Sequence, residues 1–261
     1  MNRTKKSMIL GLLLGVLPMA ESWAQEFGIQ LYSLRNQFST DVEGSLAQIR
    51  DWGITYIEGG GTYGYSQTEF LNLLEKYGLK TASVGASFEE LENNPAALIE
   101  KAKAFGASYV MCAWIPHNGD EFGIADTRKA IDVFNKAGKV LADAGLTLAY
   151  HAHGYEFRPY GDGTLFDLMA QEAQYYTFEM DVYWVYHGGG KPLELLKRYP
   201  GKFTLMHLKD LQRGIKGNNS GHEDVETNVV LGTGQIDIAA IVKLGAEQGI
   251  KYMFIEDESS R

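Results

Sequence analysis

Several means of holding or anchoring a chain are missing from this sequence. Cys112 is the single cysteine among 261 residues, so no intrachain disulfide can form and a core must carry the fold. Positive charge is in deficit: 24 Lys and Arg face 33 Asp and Glu, for a net −9. An acidic chain without a basic stripe argues against nucleic acid or anionic membrane surfaces as partners. The apolar run Met8 to Leu17 falls short of the ~20 residues of a membrane-spanning helix. The glycine runs Gly59-Gly60-Gly61 and Gly188-Gly189-Gly190 lack phosphate-loop spacing. No cluster of Arg and Lys offers a seat for a phosphate.

What is present begins with an export pattern. Met1-Asn-Arg-Thr-Lys-Lys is a basic opening, Met8 to Leu17 an apolar stretch, and Ser22-Trp23-Ala24 a small-x-small cleavage site. Residues 1–24 are therefore expected to be a signal peptide, cleaved near Ala24, with a mature periplasmic or secreted chain that has no membrane segment. Residues 25–261 are long enough for one domain around one core.

Within that domain, short apolar runs alternate with amphipathic stretches. Strands are expected at Phe27–Tyr32, Gly53–Glu58, Gly78–Val84, Ala107–Ala113, Leu146–Tyr150, Tyr176–Asp181, Phe203–Leu208 and Tyr252–Ile255. Helices fall between them, at Val42–Trp52, Gln67–Tyr77, Asn94–Phe105, Asp126–Ala144, Leu165–Gln171, Pro192–Tyr199 and Ile236–Gln248. Gly53, Gly78, Gly106 and Gly249 each follow a helix and supply the left-handed residue of a short helix-to-strand turn. Eight strands, each but the last followed by a helix, imply a parallel (β/α)8 TIM barrel whose eighth helix is absent or truncated. The competing doubly wound open sheet would leave two exposed edges.

In such a barrel, chemistry gathers at the C-terminal ends of the strands. Four consecutive strand ends carry the groups for it: Tyr150-His-Ala-His-Gly-Tyr-Glu156, Glu179-Met-Asp181, Met206-His207-Leu-Lys209, and Phe254-Ile-Glu256. Glu156, Asp181, His207 and Glu256 make a mostly oxygen donor set, suited to Mn²⁺, Mg²⁺ or Co²⁺ in preference to Zn²⁺. A cation also accounts for so many carboxylates in one place, since their repulsion would otherwise protonate some of them. Such a site can polarise a bound carbonyl, so that a carboxylate takes the neighbouring proton and an enediolate forms. Lys209 is placed to stabilise the developing negative charge. Tyr32, Glu58, His153 and Trp184 are candidate substrate contacts, with Glu58 equally suited to an ion-paired rim. His117, His187 and His222 fall in loops and are expected to be solvated.

These motifs resemble the xylose isomerase-like TIM-barrel proteins, in particular those called sugar phosphate isomerases/epimerases. The resemblance spans the mature chain and includes Gln30-Leu-Tyr-Ser-Leu-Arg35, Tyr150-His-x-His-x-x-Glu-Phe157, His207-Leu-Lys-Asp210, Leu231-Gly-Thr-Gly-Gln-Ile-Asp237 and Ile255-Glu-Asp-Glu258. It implies a divalent metal on Glu156, Asp181, His207 and Glu256, with the two glutamates as the acid/base pair of an epimerase. Such proteins often form homo-oligomers. Two positions depart from the pattern: Ala152 stands where an asparagine is common, and Trp184 where ketose epimerases have a histidine. The expected function is a metal-dependent isomerase or epimerase of a free sugar or glycoside. A 3-keto-glycoside lyase or hydratase using the same site, and a non-catalytic sugar-binding barrel, are the alternatives.

Overall fold

A computed structural model describes residues 25–119 and 121–260. The expected signal peptide lies outside the described residues. Eight parallel strands close into a barrel: β1 Glu26–Gln30, β2 Tyr56–Glu58, β3 Lys80–Gly85, β4 Tyr109–Cys112, β5 Thr147–His151, β6 Tyr176–Asp181, β7 Phe203–Leu208 and β8 Tyr252–Ile255. Each strand pairs with its sequence neighbours, and β8 returns to β1 in the register Gly28↔Phe254 and Ile29↔Ile255. Closure removes both sheet edges, which disposes of the open-sheet alternative. Among the described residues no helix follows β8.

The helices form where their sequences cap and pattern them. Ser66 with Glu69, Ser87 with Glu90 and Thr164 with Asp167 build reciprocal capping boxes at three helix starts. Pro95 takes the first turn of Pro95–Phe105. Gly53, Gly78, Gly106 and Gly249 all have the positive φ expected after their helices, and Gly145 repeats the device. The helix Phe88–Asn93, which the hydrophobic pattern was too short to reveal, starts from the Ser87 box. In the helix Val42–Asp51, Leu46 and Ile49 face the core while Arg50 is exposed.

The alternation of strand residues separates two cores. Outward residues such as Val110, Leu148, Tyr150, Phe178, Met180 and Met206 pack under the helices. Inward residues fill the barrel: Ala82, Ala149, Leu205, Tyr252 and Phe254, with Tyr56 and Tyr109 packed against them. Two residues further along four of those inward rows stand Glu58, His151, His207 and Glu256, and Gln30 ends β1 beside them. These four rows run from apolar at the N-terminal end to ionisable at the C-terminal end.

The longest helix, Ile124–Asp143, shows how closely the outer layer is packed. A Cβ on Gly138 would lie 2.1 Å from the backbone oxygen of Tyr175. In an open helix, Gly→Ala stabilises by up to ~1 kcal/mol. Gly138→Ala is instead expected to destabilise by roughly 1–3 kcal/mol, read as a lowered thermal midpoint. A raised midpoint would contradict this packing.

Candidate metal centre

The C-terminal mouth of the barrel brings four ligand atoms, one each from His151, Asp181, His207 and Glu256, within 4.8 Å of one another. They come from the ends of β5 to β7 and the residue after β8, and all four side chains are buried. Asp181 is held from two sides. Its Oδ1 accepts the Trp184 N–H at 2.8 Å, capping the helix Val182–His187, while Oδ2 faces His151 Nε2 at 3.0 Å. This helix lies where the sequence pattern had suggested a loop. An aspartate closing a strand is itself an N-cap signal, and it serves helix and site together. His207 presents Nδ1 to Glu256 Oε2 at 2.9 Å and to Asp181 Oδ2 at 3.7 Å. Its Nε2 faces away, toward Glu58 and Glu179.

The charges follow from this crowding. Burial raises the carboxyl of Asp181, but hydrogen bonds from His151 and His207 outweigh it and hold the group well below the usual range. Glu256 is likewise penalised by burial, yet Lys209 and His207 draw it down to about 2. Glu179 is pushed up to about 7 by burial, with the charge of Glu58 adding to the effect. Burial opposes protonation of His207, but Glu179, Glu256 and Glu58 raise it well above an ordinary imidazole. Burial, aided by His151, keeps His153 well below one.

The residues fit a divalent cation. His207 Nδ1 and Glu256 Oε2 face one another at 2.9 Å without hydrogen-bond geometry and are buried with no hydrogen-bond partner, and an unsatisfied buried polar atom costs about 1–3 kcal/mol. Two carboxylates with two neutral imidazoles would balance a 2+ charge. The arrangement opens onto a cavity of about 560 Å³. His151, His207 and Glu256 line it together with His153, Lys209 and Trp184.

The expected site residues divide. Asp181, His207 and Glu256 converge as anticipated. Lys209 is buried beside them, paired with Glu258 and with its Nζ 5.1 Å from the Tyr183 ring centre and 5.3 Å from that of Trp184. His153 stacks edge-on to His151 at 4.5 Å, and Trp184 lies 5.4 Å from His153. Tyr32 is half-exposed at the cavity rim. It sits in a 3-10 turn, Leu31–Leu34, rather than in β1, because Gln30 Oε1 accepts the Tyr32 N–H and ends the strand.

Two assignments are corrected. Glu156 is not brought to the centre and does not line the cavity. β5 ends at His151, and Gly154, at φ 98°, turns the chain into the short helix Tyr155–Phe157. The Glu156 carboxylate is then taken up by the Tyr150 hydroxyl and the N–H groups of His153 and Gly154. His151 stands in its place, on the inward row of Ala149. Strand parity was the signal that pointed to it. Glu58 is no substrate contact: it is fully buried behind His207, bonded by Gln30 Nε2 at 2.8 Å. Among the loop histidines, His187 is buried against Glu223 at 2.8 Å rather than solvated. His117 and the exposed His222 both lie against Trp114, a cavity wall that the sequence reading did not single out.

Two of the sequence motifs meet beneath the mouth. Asp210 accepts the N–H groups of Gly232 and Gly234 at 2.9 Å and of Ile236 at 3.2 Å. A Cβ on Gly234 would lie 2.2 Å from the Asp210 carboxylate. The glycine there is the condition for that close seat, which anchors the long loop after β7.

Comparison with known proteins agrees with this architecture. The chain belongs to the xylose isomerase-like TIM barrel family, whose family model matches residues 46–260. An inosose dehydratase of Clostridium botulinum is 29% identical over 143 residues, covering 48% of this chain and 44% of the relative. The chain thus matches less than half the length of that curated protein. The crystal structure of a sugar phosphate isomerase/epimerase from Parabacteroides distasonis superposes with a TM-score of 0.74 at 22% identity, covering 93% of this chain and 89% of that one. The IolI protein, crystallised with a zinc atom, gives 0.69 at 15% identity over 90% of both chains. At these identities the two structures speak for the fold.

The relocation of Glu156 reverses the expectation for its substitution. From the sequence, Glu156→Gln should fold normally and lose turnover. From the structure it places an amide NH₂ among three donors in a buried pocket, and is expected to cost about 1–3 kcal/mol. Mn²⁺ affinity should stay within a few-fold of the parent's. Chemical denaturation and metal titration of the variant check both parts, and a stable variant that no longer binds metal would return Glu156 to the centre.

Proposed function

We propose that this protein is a divalent-metal-dependent enzyme that takes the proton beside the carbonyl of a free sugar or glycoside and returns it elsewhere, as an isomerase or epimerase. One observation carries the reading: His151, Asp181, His207 and Glu256, all buried, bring ligand atoms within 4.8 Å of one another beside a cavity of about 560 Å³. A cation held there supplies the positive charge that polarises a carbonyl and acidifies the adjacent C–H. With two imidazoles in place of the expected one, the donor set suits Zn²⁺, Co²⁺ or Mn²⁺ better than Mg²⁺. The zinc bound by the structurally similar IolI protein supports this preference.

The chain's own groups divide the remaining work. Glu256 lines the cavity as an ionised carboxylate and is the acid/base group placed to accept a proton from carbon. Lys209 is held charged: its burial opposes protonation, but Glu256, Asp181 and Glu258 outweigh that. It can donate to the oxygen on which negative charge develops. His153 stays neutral by burial and has an unpartnered Nδ1, so its ring can exchange a proton with a substrate hydroxyl. Trp114 and Trp184 supply apolar walls for a sugar ring. Among the described residues Lys209 is the only lysine or arginine of the lining, and it is already paired with Glu258, which favours an uncharged sugar over a phosphorylated one. The amino-terminal pattern supports export as part of the same reading.

A second outcome, elimination, is favoured by the withdrawal of Glu156. An epimerase is best served by two matched carboxylates, whereas the cavity offers one of the expected pair. Proton removal by Glu256 would then push the electron pair toward the neighbouring carbon and expel a hydroxyl or glycosidic oxygen, protonated as it leaves by the charged Lys209. The local similarity to an inosose dehydratase is in keeping with this.

Incubating the metal-loaded protein in D₂O with free ketoses, aldoses and 3-keto-glycosides distinguishes these outcomes by mass spectrometry. One deuterium in a product of unchanged formula is the expected result. Loss of water or of the aglycone would assign elimination. No exchange into any compound would overturn the enzymatic reading in favour of a sugar-binding barrel.

A further inference from the structure

The four-residue centre draws no ligand from the first half of the barrel, although Glu58 groups with Glu179 on the other side of His207, and a hydrogen-bonded line runs into the centre from β1 and β2. Gln30, the last residue of β1, has both ends of its amide fixed. Its Oε1 accepts the Tyr32 N–H at 3.1 Å and its Nε2 donates to Glu58 Oε2 at 2.8 Å. The same Glu58 oxygen faces His207 Nε2, and Glu179 Oε1 lies 3.2 Å from that nitrogen. Glu58 and Glu179 are fully enclosed in the barrel. Glu58 Oε1 and both oxygens of Glu179 have no hydrogen-bond partner. Two carboxylates in such a place are expensive to keep, and neither reaches the substrate cavity.

An imidazole offers a cation one lone pair, and the proton on the other nitrogen decides which. A carboxylate at Nε2 demands an N–H there. That leaves the lone pair on Nδ1, the atom directed at Glu256 and Asp181. We infer that Glu58, seated by Gln30 and backed by Glu179, is the positioning residue of the metal centre: it holds His207 in the Nε2–H tautomer with Nδ1 turned to the ligand cluster. The inference rests on the metal reading above. It gives β1 and β2 a role in the site that no ligand of theirs supplies, and carboxylates behind a histidine ligand also raise its basicity.

The test uses the full chain and Co²⁺, followed by calorimetric titration and by the visible absorption of the bound ion, with ¹⁵N-histidine NMR reporting the tautomer of His207. Glu58→Ala is expected to weaken Co²⁺ binding by roughly 10–100-fold and to abolish the Nε2–H signature. Glu58→Gln, whose amide oxygen still accepts, should recover part of the affinity. If Glu58→Ala does not fold, Glu58→Gln and Gln30→Ala carry the comparison, each with a smaller loss in the same direction. A thermal midpoint that falls while Co²⁺ affinity and absorption stay at parental values would overturn the positioning role and leave Glu58 as a purely structural group. Failure of the parent to bind Co²⁺ at all would instead overturn the metal reading.

Discussion

Buried charge at the mouth of the barrel must be balanced, and much of the structure follows from how it is. Glu58, Glu179, Asp181 and Glu256 are all withdrawn from solvent within one end of the barrel, with Lys209 as the permanent cation among them. Carboxylates so close in a low-dielectric site cannot all stay ionised without further positive charge. The protein on its own answers with protons: His207 is driven toward the charged form, and Glu179 rises to about 7. A divalent cation held by His151, Asp181, His207 and Glu256 would supply the same positive charge. Metal and proton therefore compete for His207, whose two ring nitrogens face the two halves of the carboxylate group.

That balance is possible because the scaffold sorts polarity along four strands. Their inward rows are apolar at one end of the barrel and ionisable at the other, so the packed interior and the charged mouth are continuous yet separate. The outer helices carry none of this chemistry. They cover the barrel through close backbone approaches, as at Gly138, and leave the C-terminal strand ends and the segments after them to shape the cavity.

The fold was legible in the sequence because its signals are local. Apolar runs, helix caps and the glycines after helices place eight strands and most helices to within a few residues. The site was only half legible. Asp181, His207 and Glu256 stand at or immediately after strand ends, where topology alone brings them together. Glu156 stands five residues past the end of β5, beyond a left-handed glycine, where distance along the chain no longer reports position in space. A family resemblance reinforced that choice, since it offered a glutamate for a role that His151 fills. Glu58 failed for the opposite reason: it does end a strand, but its side chain is consumed by a histidine from the far side of the barrel. Such a contact joins residues 149 positions apart, and no local pattern encodes it.

The exchange of a carboxylate for an imidazole has chemical weight. It makes the donor set softer and removes one of two matched bases, leaving Glu256, Lys209 and His153 as an unequal set around the cavity. The central claim is that His151, Asp181, His207 and Glu256 together hold a cation. Anomalous X-ray diffraction from crystals of the protein grown with Zn²⁺ tests it most directly. The expected result is a strong anomalous peak in contact with those four side chains, with Glu156 still bonded to Tyr150. A peak against Glu156, or none at this centre at saturating Zn²⁺, would contradict the account.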